Sequence, residues 1–219
     1  MKRRDFTCAA ASLLALPAAW AQSVPLTAGE NYKALKTPAP TEAAAGQIEV
    51  IEFFSYGCPH CHDFDPIFHK WAAAQPKDVI VRQVHVGFSP AFEPLQRIFY
   101  ALKAMDASSQ ENSAKVFNAI LKEKKRLSQP DVLMPWIAEQ GINREKFEAA
   151  YKSFGVASQI KRAGQLQDAY QVEATPAFGI AGLYYTDPGM TRGFDNMLKV
   201  AEALIEQTRK SGDAKAKAG

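Results

Sequence analysis

The stretch Ile48–His62, IEVIEFFSYGCPHCH, decides the fold of this chain. Residues 48–54 are mostly β-branched or aromatic, which is typical of a buried interior strand. The Ser-Tyr-Gly sequence at 55–57 can then form a turn. The run that follows has apolar residues at helical spacing: Phe64, Ile67, Phe68 and Trp71. The two cysteines of the CPHC motif at 58–61 are therefore predicted to lie on the first turn of a helix.

This position has consequences for the acidity of Cys58. The first-turn amides of a helix have no intrahelical partners and carry a positive partial charge, so a thiolate at Cys58 is expected to be stabilised. Pro59 suits an early helical position, which needs no amide donor. His60 lies between the two cysteines, and as an imidazolium or a hydrogen-bond donor it would lower the thiol pKa further. Cys61 can form a disulfide with Cys58 or resolve a mixed disulfide formed by it.

The N-terminus predicts export from the cytoplasm. It starts with the basic residues Lys2-Arg3-Arg4, continues with a short apolar run over 8–20 and ends at Ala19-Trp20-Ala21, the pattern of a signal peptide that is cleaved after Ala21. The apolar run is too short to span a membrane. The paired arginines also fit a twin-arginine export signal, and an ordinary secretory signal is the alternative.

Composition and cysteine usage limit the possible functions. The chain has 219 residues, of which 47% are hydrophobic and 22% charged, as expected for one large globular domain or one domain with an insertion. A net charge of only +3 does not favour nucleic acid or a membrane surface as a partner. Removal of the leader takes Cys8 with it and leaves Cys58 and Cys61. Since so small a loop removes little chain entropy, a redox role is favoured over a structural or metal-binding one.

The remaining chain predicts a mixed α/β fold. An edge strand is expected at 32–35, and a strand at 79–86 parallel to the first through a right-handed crossover. Successive helical patterns without strands follow, including one that starts with a capping box at 128–131 and one capped by Asn143. A hairpin is expected at 177–180 and 183–186. A last helix capped by Asp195 and a disordered tail at 211–219 complete the chain.

EFFSYGCPHC at Glu52–Cys61 resembles the active-site strand and helix start of the DsbA family, the periplasmic thiol:disulfide oxidoreductases of the thioredoxin superfamily. The resemblance implies an α/β architecture in which a thioredoxin fold is interrupted by an all-helical insertion domain. We place the first part of the thioredoxin fold at 22–88, the helical insertion at 89–169 and the second part at 170–210. It also implies that the mature protein works in the periplasm.

The resemblance assigns roles to three further residues. Thr175-Pro176 matches the superfamily position at which a cis-proline packs against the CxxC motif, and Thr175 would offer backbone groups to a peptide substrate. An ordinary trans proline at a strand start is the alternative. Glu52 matches the buried acid that exchanges a proton with the buried cysteine, although it could instead be a solvent-facing carboxylate. Family members often pair this acid with a basic side chain, whereas the matching position here is Gln83, next to Arg82.

The implied activity is the introduction of disulfide bonds into reduced exported polypeptides, with Cys58 forming the mixed disulfide. A membrane-bound, quinone-linked oxidase of the DsbB type would then reoxidise the pair. We predict a monomer without a cofactor. The alternatives are a disulfide isomerase or reductase with a narrower client, a metal-delivery module and a peptide-binding chaperone. Metal binding is disfavoured because the sequence has no second CxxC or HxxxH motif to complete a tetrahedral ligand set, so no metal site is predicted.

Overall fold

A computed structural model of the chain describes residues 25–218, with side chains described up to residue 212. The predicted signal peptide at 1–21 lies outside the described residues, as does Cys8. In the part of the chain that is described, no helix has the length and apolar character needed to cross a membrane.

A mixed sheet of five strands forms the centre of the described structure. The strands are β1 (Lys33–Ala34), β2 (Ile48–Phe54), β3 (Val79–His85), β4 (Ala177–Ile180) and β5 (Tyr184–Thr186). Their spatial order is β1-β5-β4-β2-β3, and β2 pairs in parallel with β3 and antiparallel with β4. Every residue of β2 is buried, which confirms the predicted interior strand. The predicted edge strand, parallel crossover and hairpin are also present.

Helices cover both faces of this sheet. Helix α1 (Pro59–Ala73) connects β2 to β3, and the segment between β3 and β4 consists of helices joined by loops. That segment contains a short 3-10 helix (Pro90–Phe92), α2 (Glu93–Ala104), α3 (Gln110–Leu121), α4 (Pro130–Glu139), α5 (Arg144–Lys152) and α6 (Phe154–Tyr170). Two helices follow the hairpin, α7 (Pro188–Thr191) and α8 (Phe194–Ala218). The predicted fold class, a thioredoxin fold with a helical insertion, is confirmed.

Side chains of β2 alternate between two hydrophobic cores. Ile51 and Phe53 face the core that is shared with the helical insertion. Ile48 and Val50 face the core that is formed with α1 and α8. Because the side-chain period of a strand is two, Glu52 lies on the same face as Val50, next to α1. Strand β2 therefore places the carboxyl group of Glu52 next to the buried face of α1, the helix that carries the cysteines.

Two predicted helix starts are wrong in detail. The capping box at 128–131 does not form, because Gln129 is the N-cap of α4 and makes no side-chain cap hydrogen bond. Pro130 at the first helical position explains the difference, since it needs no amide acceptor there. Asp195 lies inside the first turn of α8, which begins at Phe194, instead of capping it. The predicted cap at Asn143 is correct, because its side chain accepts from Lys146 N.

Helix α8 continues to Ala218, and disorder of the tail at 211–219 remains a prediction. Residues 214–218 alternate alanine and lysine. Both residue types have high intrinsic helix propensity. Local propensity therefore extends the helix beyond the part that packs on the sheet.

Candidate active site

The turn after β2 places both cysteines of the CPHC motif at the N-terminus of α1. Cys58 is the N-cap residue, with extended backbone angles, and Pro59 is the first helical residue. The Cys58 sulfur accepts a hydrogen bond of 3.4 Å from the Cys61 amide, as a serine or threonine oxygen does at other N-caps. Cys58 is half-buried and Cys61 is 1% exposed. Cys61 lies on the first helical turn as predicted, whereas Cys58 caps that turn, and both cysteines are free thiols.

The surroundings of Cys58 favour its anionic form. Its pKa is lowered from 9.0 to about 5, chiefly by a hydrogen bond from the Cys61 thiol. Partial burial opposes this effect, whereas the Thr175 side chain and the backbone amides of Cys61 and His60 lower the pKa further. The His60 side chain is exposed, and its amide is the group that acts on the sulfur. An effect of the imidazole remains a prediction.

The environment of Cys61 has the opposite effect. Burial raises the pKa of this thiol strongly, and its hydrogen bond to Cys58 raises it further. Cys61 therefore keeps its proton at neutral pH and donates it in a hydrogen bond to the Cys58 thiolate. The two sulfurs differ in exposure and in charge, so only Cys58 is suited to meet an external reactant.

Thr175 and Pro176 lie beside the Cys58 sulfur. The peptide bond between them is cis, as the resemblance implied. In its protonated form, the Cys58 thiol donates to the backbone carbonyl of Thr175 over 3.3 Å, although the two residues are 117 positions apart. Thr175, Pro176 and His60 line a groove of about 410 Å³, together with Asp187 and Pro188.

Glu52 is buried, as the resemblance also implied, with 1% of its surface exposed. Its carboxylate accepts a hydrogen bond of 2.7 Å from the Gln83 side-chain amide. Burial raises its pKa from 4.5 to about 8, and the hydrogen bond from Gln83 offsets part of that rise. Arg82 does not pair with Glu52, because its guanidinium donates instead to the buried carboxylate of Glu49 over 3.0 Å.

Asp65 is a further acid of this region that the sequence analysis did not single out. It lies in α1 one turn after Cys61 and is 4% exposed. Its charge raises the pKa of Glu52, which places the two carboxyl groups in one electrostatic environment behind Cys61. The spacing of four residues from Cys61 puts Asp65 on the same helical face, and this spacing could have identified it.

Within the described residues, no group of three or more His, Cys, Asp or Glu side chains is arranged to hold a metal ion.

The chain resembles known proteins over most of its length. A sequence profile of the DSBA-like thioredoxin domain matches residues 49–205. The thiol:disulfide interchange protein DsbA of Bordetella parapertussis is 38% identical over 202 residues, which cover 92% of this chain and 95% of that protein. The DsbA of Pseudomonas aeruginosa is 36% identical over 189 residues, with coverages of 86% and 89%. The crystal structure of Pseudomonas aeruginosa DsbA has a TM-score of 0.82 at 35% identity and covers 86% of this chain and 97% of that one.

Proposed function

The chain belongs to the DsbA family and is a thiol:disulfide oxidoreductase, and from this premise we propose that it introduces disulfide bonds into exported proteins in the periplasm through Cys58 and Cys61. The proposal rests above all on the difference between the two sulfurs. A pair in which one cysteine is a stabilised thiolate favours the dithiol over the disulfide, so electrons pass from substrate to enzyme.

The proposed reaction starts from the oxidised enzyme. A substrate thiolate attacks Cys58, the S–S bond breaks, and Cys61 leaves with the electron pair and takes up a proton. A second substrate thiolate then attacks the substrate sulfur of the mixed disulfide and releases Cys58 as a thiolate. Two electrons have moved to the enzyme, and the substrate holds a new disulfide. Attack at Cys58 is favoured because Cys61 is almost completely buried.

Proton transfer to Cys61 is assigned to the buried acid Glu52. Burial keeps this carboxyl protonated up to a pH of about 8, so it can supply a proton when Cys61 leaves and accept one when the disulfide forms again. The charge of Glu52 raises the pKa of the Cys61 thiol, which supports the proximity of the two groups. Gln83 orients the carboxyl group through its hydrogen bond.

Substrate binding is assigned to the segment around the cis peptide bond. Thr175 would present its backbone to an extended polypeptide, and Pro176 would hold that backbone beside Cys58. Pro59 supports the helix start, and His60 supplies a backbone amide to the thiolate. We further propose that residues 1–21 direct export and are removed after Ala21, that the mature protein is a monomer, and that a quinone-linked membrane oxidase of the DsbB type regenerates the disulfide.

The decisive experiment is the redox equilibrium of the Cys58–Cys61 pair with glutathione. We expect the protein to be reduced by glutathione much more readily than thioredoxin, whose potential is about −270 mV. A potential near that of thioredoxin would instead identify a reductant and would refute the proposal.

A matched pair of variants tests the assignment of the two cysteines. Cys61→Ser should accumulate a mixed disulfide with a reduced, unfolded substrate. Cys58 can still bond to the substrate sulfur, but the enzyme has no second thiol to displace the substrate. Cys58→Ser should accumulate none, since the remaining thiol is buried. Accumulation in both variants, or only in Cys58→Ser, would contradict the assigned roles.

A further inference from the structure

His85, the last residue of β3, is fully buried beside the active-site turn. Its ring packs against the rings of Phe54, Tyr56 and Phe99, with centroids 5.0, 5.2 and 6.2 Å away. A histidine in such an apolar cluster needs hydrogen-bond partners for both ring nitrogens.

Both ring nitrogens of His85 have backbone partners. The amide of Tyr56 donates to Nε2 over 2.9 Å, and Nδ1 lies 3.0 Å from the carbonyl oxygen of Val86. Because Nε2 accepts a hydrogen bond, the single proton of the neutral ring is on Nδ1 and is donated to Val86. Burial lowers the pKa of His85 to about 3, so the ring remains neutral at physiological pH.

Tyr56 belongs to the turn that carries Cys58. Within this turn the amide of Gly57 bonds to the Ser55 hydroxyl over 3.3 Å, and the amide of Cys58 bonds to the Ser55 carbonyl over 3.0 Å. Of these three consecutive amides, only that of Tyr56 is bound by a group outside the turn. The imidazole is therefore the external anchor of the turn.

His85 is itself fixed by the helical insertion. Its backbone carbonyl accepts hydrogen bonds from the Gln96 side-chain amide over 3.1 Å and from the Tyr100 hydroxyl over 3.3 Å, both from α2. A continuous set of hydrogen bonds thus runs from α2 through the end of β3 to the turn before Cys58. Movement of the turn relative to the insertion is opposed by these contacts.

We propose that His85 is a positioning residue for Cys58, because its Nε2 fixes the turn that places the Cys58 sulfur at the N-cap of α1. The inference deepens the proposed redox function and rests on it. The hydrogen bonds that stabilise the thiolate depend on distance, since the sulfur must stay within reach of the Cys61 amide. Without the imidazole acceptor the buried Tyr56 amide has no partner, and the turn shifts to find one.

Two substitutions separate the acceptor from the other contacts of the ring. His85→Gln places a carbonyl oxygen the same number of bonds from the backbone as Nε2, so it can still accept from Tyr56. His85→Asn places its amide at the position of Nδ1, so it can still donate to Val86 but leaves the Tyr56 amide unpaired. Both variants lose ring packing. Val84→Ala, a truncation at the neighbouring buried residue of β3, controls for a general loss of core packing.

The readout is the pKa of Cys58, from thiolate absorbance and the pH dependence of alkylation. We expect His85→Asn to raise it by about one unit, a tenfold loss of thiolate at a pH below the wild-type pKa, and to weaken the equilibrium oxidation of substrate. His85→Gln and Val84→Ala should leave the pKa within a few tenths of a unit of wild type. An unchanged pKa in His85→Asn, or equal shifts in the Asn and Gln variants, would overturn the inference.

Nitrogen NMR of the wild-type protein tests the same inference without a variant. His85 should show the Nδ1-protonated tautomer from pH 5 to pH 8, and a proton on Nε2 would overturn the proposal. If wild-type Cys58 titrates like a cysteine in an unfolded peptide, the proposed function fails. If the wild-type pKa is low but does not respond to the loss of the acceptor, only the role of His85 is rejected.

Discussion

The side-chain amide of Gln83 donates a hydrogen bond of 2.7 Å to the carboxylate of Glu52, and the two residues lie opposite each other in the parallel pair β2–β3. The partner of the buried acid is thus a neutral amide. An amide stabilises a carboxylate less than a cation does, so burial dominates and the pKa of Glu52 rises to about 8. The combination of burial and a neutral partner therefore keeps Glu52, the acid near Cys61, protonated at neutral pH.

Replacement of Gln83 by lysine should ionise Glu52 at neutral pH. An adjacent ammonium group lowers a carboxyl pKa by about 1–3 units. The carboxyl signal of Glu52 in isotope-edited infrared spectra of the oxidised protein would report the shift. Gln83→Leu is the matched control, because it removes the hydrogen bond without adding charge and should raise the pKa further. An unshifted titration in Gln83→Lys would show that the two side chains do not interact in solution.

Glu52→Gln should change the pH dependence of stability. The folded-state pKa of Glu52 is raised, so between about pH 4.5 and pH 8 the unfolded chain releases a proton that the folded protein keeps. Wild-type stability should therefore fall through this window relative to Glu52→Gln, by roughly 2–5 kcal/mol in total. Urea unfolding of the oxidised proteins at several pH values measures the difference. Substitution of the exposed Glu139 by glutamine should leave the profile unchanged, and parallel profiles for wild type and Glu52→Gln would contradict the prediction.

The reduced protein should gain stability over the oxidised protein as the pH rises from about 5 to about 9. The pKa of Cys58 is lowered on folding, so its contribution is complete above the unfolded value of 9.0 and is lost as the pH falls through about 5. The disulfide form has no thiol to titrate, and burial, the main cause of the raised Glu52 pKa, is common to both forms. Denaturation of both forms across this pH range measures the difference between their free energies of unfolding. A difference that does not change with pH would exclude a stabilised thiolate.

Substitutions of His60 should distinguish its amide from its imidazole. Proline removes the amide that acts on the Cys58 sulfur, whereas alanine keeps the amide and removes only the ring. We expect His60→Pro to raise the pKa of Cys58 more than His60→Ala does, and to make the protein less oxidising towards glutathione. The measurement is thiolate absorbance against pH. Equal shifts in the two variants would assign the effect to the imidazole instead.

Local sequence predicted the parts of the site that lie close together in the chain. The β-branched and aromatic residues of 48–54 specified a buried strand, and the CPHC motif with the apolar spacing after it specified a helix start. These predictions are correct because strand burial and helix capping are determined within a few residues. The position of Gln83 opposite Glu52 was also accessible, since pairing of two adjacent parallel strands follows once their ends are known.

The sequence by itself therefore determined the reactive pair, the strand and helix that carry it, and the family to which it belongs. Only the tertiary structure decided which hydrogen bonds the surrounding groups make with that pair and with its turn. The Thr175 carbonyl meets Cys58 across 117 positions, and His85 meets Tyr56 across 29. Such contacts depend on strand register and on how the helical insertion packs against the sheet, which no local pattern encodes. The motif supplies the chemistry, and the acidity of its two sulfurs is set by neighbours that only folding brings within hydrogen-bonding distance.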